Sequence, residues 1–304
     1  MKRAFIVLHL AVLLAGFTGL FGKLIALNAG LISWYRLILS FAVLLVIFLF
    51  RGKLPSAGRG NIPAIGLSGA LIGFHWIFFY ASIQQSNVAV GVVCFAMTSF
   101  FTALLEPLIR RRRLSFTELG LSSLTLAGIA LIFGLDAGYR NGIILGVISS
   151  MFAALYAITN ERLAKKHDGL TIMFYAMGCG ALALTAIMLV YIPVLHISKI
   201  IPSWMDVAYL FVLASLCTVL LYYLVTQSLK TLSAFSVNIA FNLEPIYSII
   251  IAILLFKENK VLSPAFYLGL SLVMLSVILQ MYITTNSGRK PSAGADPLHV
   301  PAQP

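Results

Sequence analysis

The chain is 304 residues long, 61% hydrophobic and only 10% charged, with a mean hydropathy of +1.00. A soluble domain carries roughly a quarter charged residues, so a water-soluble globule is excluded and lipid or neighbouring helices must surround most side chains. The formal net charge of +12 would suggest nucleic acid in a soluble protein, but here it sits between apolar segments, where it reports topology and not a nucleic-acid partner.

A helix needs about 20 mostly apolar residues to cross about 30 Å of hydrocarbon. Ten stretches meet that requirement: 4–22, 31–50, 62–84, 88–109, 117–135, 142–161, 170–193, 207–228, 232–256 and 264–285. The apolar runs are continuous instead of alternating, so they predict helices and not barrel strands. The first is too long, and too closely followed by the second, for a cleaved signal peptide. The fold class expected is an all-α polytopic membrane protein. The last residues, 286–304, with Pro291, Pro297, Pro301 and Pro304 among small polar neighbours, predict a disordered tail.

With the N-terminus cytoplasmic, 15 of the 21 Lys and Arg fall on the inner side: Lys2, Arg3, Arg51, Lys53, Arg59, Arg110, Arg111, Arg112, Arg113, Arg162, Lys165, Lys166, Lys230, Arg289 and Lys290. Basic residues are retained on the cytoplasmic face, so this asymmetry predicts a multi-pass inner-membrane protein with both termini cytoplasmic. Cys94, Cys179 and Cys217 all lie in spans, without metal-ligand spacing, and are expected to be buried apolar side chains. No cofactor or metal is implied.

Ten spans divide into a first half, 1–138, and a second half, 139–285, of five each. An odd number per half sends corresponding helices across the membrane in opposite directions, the inverted-repeat plan of many secondary transporters. The end of span four, FFTALLEPLIRRRRLS, and the end of span nine, NLEPIYSIIIAILLFKENKVLS, are both closed by charged clusters. Aligning those clusters places Glu244 against Thr98, so the two Glu-Pro pairs, at Glu106 and Glu244, are not equivalents.

Polar groups in hydrocarbon face a cavity or a partner and are functional candidates. Glu244 lies midway along span nine, about 18 Å from either end. Pro245 after it removes a backbone hydrogen bond and is expected to open the helix near the bilayer centre. A desolvated carboxyl there suits proton binding or recognition of a substrate cation. Glu106 stands one turn from the span end and four residues before Arg110, the spacing of a structural ion pair. His75 and Trp76 sit near the centre of span three with Phe79 and Tyr80 one turn on; they predict a proton-carrying group and an aromatic wall, or plain packing. Inward stripes are expected through Thr98, Thr102 and Glu106, through Thr218, Tyr222 and Thr226, through Asn238 and Asn242, and through Tyr156 and Asn160. Arg36, placed near the outer mouth of span two, anchors a substrate carboxylate or snorkels to the interface beside Trp34 and Tyr35. Gly178, Gly180, Ala181 and Ala183 in span seven predict close helix contact.

Taken in order along the chain, these residues resemble the drug/metabolite transporter superfamily, specifically its EamA-type members with two EamA repeats. Gly16, Lys23 and Arg36 in SWYRLIL fit the first repeat. Tyr156 and Arg162, Thr218 and Tyr222, and Pro245 followed thirteen residues later by Glu258 fit the second. Ala15, Ser99 and Arg112 depart from the family's usual Trp, Pro and Glu. The resemblance implies a secondary transporter of small organic metabolites, an exporter of amino acids or related solutes, working by alternating access. Its partners are then a small-molecule substrate, the lipid bilayer and, if coupled, protons through Glu244 or His75; no nucleic acid is expected, and the oligomeric state is not fixed by the sequence. No phosphate-binding Gly-rich loop is present to bring ATP. The alternatives are a non-transport membrane receptor or structural protein, and an intramembrane enzyme built on Ser68 in Gly66-Leu67-Ser68-Gly69, whose nearest histidine, His75, stands two turns along the same helix.

Overall fold

The computed structural model describes residues 2–111, 114, 116–133, 137–232, 237, 240, 241, 243–256 and 264–286. They form helices α1 (Lys2–Leu24), α2 (Ala29–Phe50), α3 (Ile62–Gln85), α4 (Val88–Phe95), α5 (Thr98–Arg110), α6 (Phe116–Phe133), α7 (Arg140–Ala164), α8 (Gly169–Val194), α9 (Trp204–Ala214), α10 (Leu221–Leu229), α11 (Glu244–Phe256) and α12 (Pro264–Asn286), with a π-helical segment, Ser215–Leu220, joining α9 to α10. Short polar side chains start several of them: Asn28, Asn87 and Asp168 each accept a backbone N–H of the first turn, and Ser203 with Asp206 forms a capping box ahead of α9.

Seven spans among the described residues are long and apolar enough to cross a membrane: Ile6–Leu24, Ala29–Phe50, Ile62–Gln85, Val88–Arg110, Arg140–Ala164, Gly169–Val194 and Trp204–Ser228. The fifth, ninth and tenth predicted spans fall on α6, α11 and α12, whose described apolar stretches are shorter. The protein is therefore a many-pass helical membrane protein, while the count of ten rests on the sequence. Arg112, Arg113, Asn238, Asn242, Glu258 and the tail from Ser287 lie outside the described residues.

Packing couples the two ends of the chain at every level. α3 lies against α7 and α8, while α1 lies against α10, and α2 against α9. α4 and α5 pack on α7 as α11 packs on α1, and the pairs α2–α8, α4–α11 and α6–α12 complete the set. Exchanging α1, α2, α3, α4–α5 and α6 for α7, α8, α9–α10, α11 and α12 carries these particular contacts onto one another. Glycine permits the closest approaches. A Cβ on Gly69 of α3 would come within 1.9 Å of the Ala176 carbonyl oxygen, and one on Gly180 of α8 within 2.7 Å of the Gly69 carbonyl oxygen. Gly180 therefore does what the small-residue cluster of span seven predicts.

Two of the predicted spans are not continuous. Span four breaks between α4 and α5, where the Ala96 and Met97 N–H groups bond three residues back instead of four. The loosened carbonyls are taken up by hydroxyls: Thr98 Oγ1 donates to Phe95 at 2.7 Å, Ser99 Oγ to Ala96 at 3.0 Å, and Ser150 Oγ of α7 to Cys94 at 2.7 Å. Irregular backbone survives at membrane depth because protein groups satisfy it. Span nine has its own discontinuity, since α11 starts at Glu244. Pro245 then occupies the first turn, where no intrahelical donor is lost.

Candidate functional site

α5 begins at Thr98 and α11 at Glu244, each part-way along a predicted span. Cross-bracing is also shared. Ser150 of α7 holds α4 at Cys94, and Ser248 of α11 donates to the Gly16 carbonyl of α1 at 2.8 Å. Both contacts run over a glycine with no room for a side chain, Gly146 against Cys94 and Gly16 against Tyr247.

Arg36 does not snorkel. It lies in the core, 1% exposed, because its aliphatic stem points across the bundle and its head finds partners there. Nε donates to Thr218 Oγ1 at 2.7 Å, one terminal nitrogen to Tyr80 Oη at 2.9 Å, and the other to the Cys217 carbonyl at 2.7 Å. The guanidinium carbon stands 3.7 Å from the Trp76 ring centroid, a cation–π stack. The π-helical register makes this possible. With Thr218 Oγ1 donating back to the Leu213 carbonyl at 2.8 Å, the widened turn presents the Cys217 carbonyl to Arg36. All of these acceptors are neutral. A guanidinium has five N–H donors, and among the described residues three are engaged.

Glu244 faces the same small cavity, of about 40 Å³, together with Arg36, Trp76, His75 and Tyr222. It is 4% exposed. Among the described residues its carboxyl has no hydrogen-bond partner, and no described ion pair joins it to Arg36. A second cavity of about 80 Å³ adjoins the first, sharing His75, Phe95, Tyr222 and Phe241 as walls, with Thr98, Ser99, Tyr156 and Asn160 adding polar atoms to an otherwise apolar lining. Tyr222 packs edge-on against both Trp76 and Tyr156.

His75 is held by a residue that sequence reasoning missed. Its Nδ1 lies 3.1 Å from the Ser149 carbonyl oxygen and 2.9 Å from Ser149 Oγ, while that hydroxyl donates to the His75 carbonyl at 3.0 Å. A carbonyl can only accept, so Nδ1 carries the proton and Nε2 is left as an acceptor. Among the described residues Ser68 gains no such partner, for its Oγ is buried without a hydrogen bond. Thr102 does not reach either cavity; it is buried and donates to the Thr98 carbonyl.

Two further acids were not singled out from the sequence. Glu161, at the basic end of α7, pairs with Arg110 of α5 and, at 2.8 Å, with Lys165; Arg110 also bridges to Glu106 at 3.0 Å, the pair expected from its spacing. Asp206 closes the opposite end. One oxygen accepts from the Ala26 N–H at 2.8 Å, the other from Lys199, the Ser203 N–H and the Ser203 hydroxyl. Both had signals: Glu161 and Lys165 stand four apart, and Ser203 and Asp206 have capping-box spacing.

Apolar helices surround a buried chamber in which a guanidinium, a carboxyl, an imidazole and two tyrosines converge. The chain belongs to the EamA-like transporter family, whose model matches residues 2–134 and again 140–282. An uncharacterized transporter of Helicobacter pylori strain J99 is 27% identical over 58% of this chain, and the match spans 60% of that protein's length. The uncharacterized transporter YyaM of Bacillus subtilis is 24% identical over 80% of this chain and 81% of its own. A protein of known crystal structure superposes on 95% of this chain and 99% of its own length with a TM-score of 0.68 at 14% identity, which shows a shared fold alone.

Proposed function

We propose that the protein is a secondary transporter that exports amino acids or closely related zwitterionic metabolites across the inner membrane by alternating access. Ten crossings arranged as two inverted five-helix repeats, with cytoplasmic termini, provide the framework for that cycle. One observation carries the substrate assignment: Arg36 and Glu244 face a single cavity without pairing with each other. Leaving a buried cation and a buried acid apart is costly unless something completes them. An α-amino acid carries a carboxylate and an ammonium on one carbon and matches both, the carboxylate at the free Arg36 donors and the ammonium at Glu244. The adjoining cavity, walled by Ile72, Val225 and Phe241, is suited to an apolar side chain, with Asn160 and Thr98 for a polar end. Glu244 and His75 are the groups able to carry a proton in the empty state.

The test is flux in proteoliposomes. Glu244→Gln keeps the shape and removes the charge, and transport of a neutral amino acid is expected to fall by about two orders of magnitude, the loss of one buried charged contact. Arg36→Lys is expected to fall similarly, because an ammonium cannot hold three directions at once. Unchanged transport and an unchanged pH profile in Glu244→Gln would remove that residue from both binding and coupling.

A further inference from the structure

The larger of the two adjoining cavities, about 80 Å³, has a hydrogen-bonding inventory that selects its occupant. About 10–15 Å³ admits one water, so the space takes several heavy atoms and a lone methyl group does not fill it. On α7, Tyr156 and Asn160 stand one turn apart and share a face. Asn160 is 3% exposed and lines the cavity, yet among the described residues neither its amide nor the Tyr156 hydroxyl has a hydrogen-bond partner. At the break between α4 and α5 the wall is of the other kind. Thr98 Oγ1 and Ser99 Oγ spend their protons on the Phe95 and Ala96 carbonyls, at 2.7 and 3.0 Å, and so offer lone pairs alone. His75, with Nδ1 committed to Ser149, keeps Nε2 as a further acceptor.

An occupant that displaces solvent from the Asn160 amide must replace its hydrogen bonds, because a buried amide left unpaired is costly. An apolar side chain cannot do so. A carboxylate only accepts; it suits Asn160 and Tyr156 but sets its lone pairs against those of Thr98, Ser99 and His75. A hydroxyl brings one proton to these three acceptors. A primary amide brings two, and its carbonyl accepts from Asn160 or Tyr156. The charges nearby are otherwise engaged: Glu161, next to Asn160 on α7, pairs with Arg110 and Lys165, Arg162 beyond it is exposed, and Arg36 and Glu244 line the smaller cavity. Resting on the assignment of a substrate's α-carboxylate to Arg36 and its ammonium to Glu244, we propose that the larger cavity is a subsite for neutral side chains ending in a primary amide. Asn160 is the residue that sets this preference.

Full-length protein is reconstituted in proteoliposomes preloaded with unlabelled glutamine, methionine or glutamate, and each is exchanged for its own radiolabelled form at one subsaturating concentration. The three side chains have nearly the same length and differ at the end group. Glutamine is expected to enter about tenfold faster than methionine or glutamate, a difference equal to about 1.4 kcal/mol. Asn160→Leu, of similar size but without the amide, is expected to bring glutamine and methionine to equal rates while the protein still elutes as a single species. Methionine or glutamate moving as fast as glutamine through the wild type would overturn the proposal with no variant needed, as would a glutamine preference that survives Asn160→Leu. Equal exchange of all three would remove the subsite and leave the α-amino-acid assignment standing, whereas exchange of none would remove both.

Discussion

The two ends of the seam between the halves are closed by different chemistry. At one end Asp206 grips backbone: it accepts across the seam from the Ala26 N–H and within its own half from the Ser203 N–H, while Gln84 braces the first-half side through the Ala29 N–H and the Leu27 carbonyl. At the other end Arg110, Glu106, Glu161 and Lys165 meet only through side chains. A side-chain pair parts by a change of rotamer, a fast event, whereas a bond to backbone N–H parts only when the segment itself moves. The basic end is therefore built to open with less rearrangement than the Asp206 end.

Three substitutions test that difference. Asp206→Ala has the largest expected effect. It leaves two backbone N–H groups, the Ser203 hydroxyl and the half-exposed Lys199 without their acceptor, and a hydrogen bond to a charged group contributes about 1.5–3 kcal/mol. A fall in melting temperature of several degrees in detergent is the readout, and a shift within error would show that the backbone grip contributes nothing. Glu161→Gln comes next, at about 1–3 kcal/mol, because Arg110 retains Glu106. Its informative readout is accessibility. In a background lacking Cys94, Cys179 and Cys217, a cysteine at Ala157 in the chamber wall should label faster with a charged thiol reagent added at the basic end. An unchanged rate would mean that Arg110 and Glu161 do not hold that end shut.

Much of this fold is written in plain hydropathy, and the family pattern through Gly16, Arg36, Tyr156, Thr218 and Pro245 led to the right family. What escaped was geometry at single residues. The sequence left Arg36 open between a substrate-carboxylate anchor and a snorkelling residue beside Trp34 and Tyr35, since nothing in it announces that a π-helical turn will present the Cys217 carbonyl, 181 residues away, to it. The break at Ala96 and Met97 was equally silent, for no proline or glycine marks it. Its stability comes from Thr98, Ser99 and the distant Ser150, and only the last crosses between halves. Ser149 escaped as well, because a serine on a helix has no sequence signature as a histidine's anchor.

Lys165→Met carries the smallest expected effect and the sharpest discrimination. Lys165 and Arg110 share one carboxylate, but Lys165 is 55% exposed at its side chain and Arg110 only 10%. An exposed ion pair contributes about 0–1 kcal/mol, and salt screens it over about 10 Å at 0.1 M. Lys165→Met should therefore shift the melting temperature barely, and high salt should erase even that shift. The accessibility gain of Glu161→Gln, which depends on the buried Arg110 contact, should persist in the same salt. If Lys165→Met instead opens the chamber as widely as Glu161→Gln, the exposed lysine is the clasp, and the basic end then opens through a solvated side chain, with Arg110 remaining paired to Glu106.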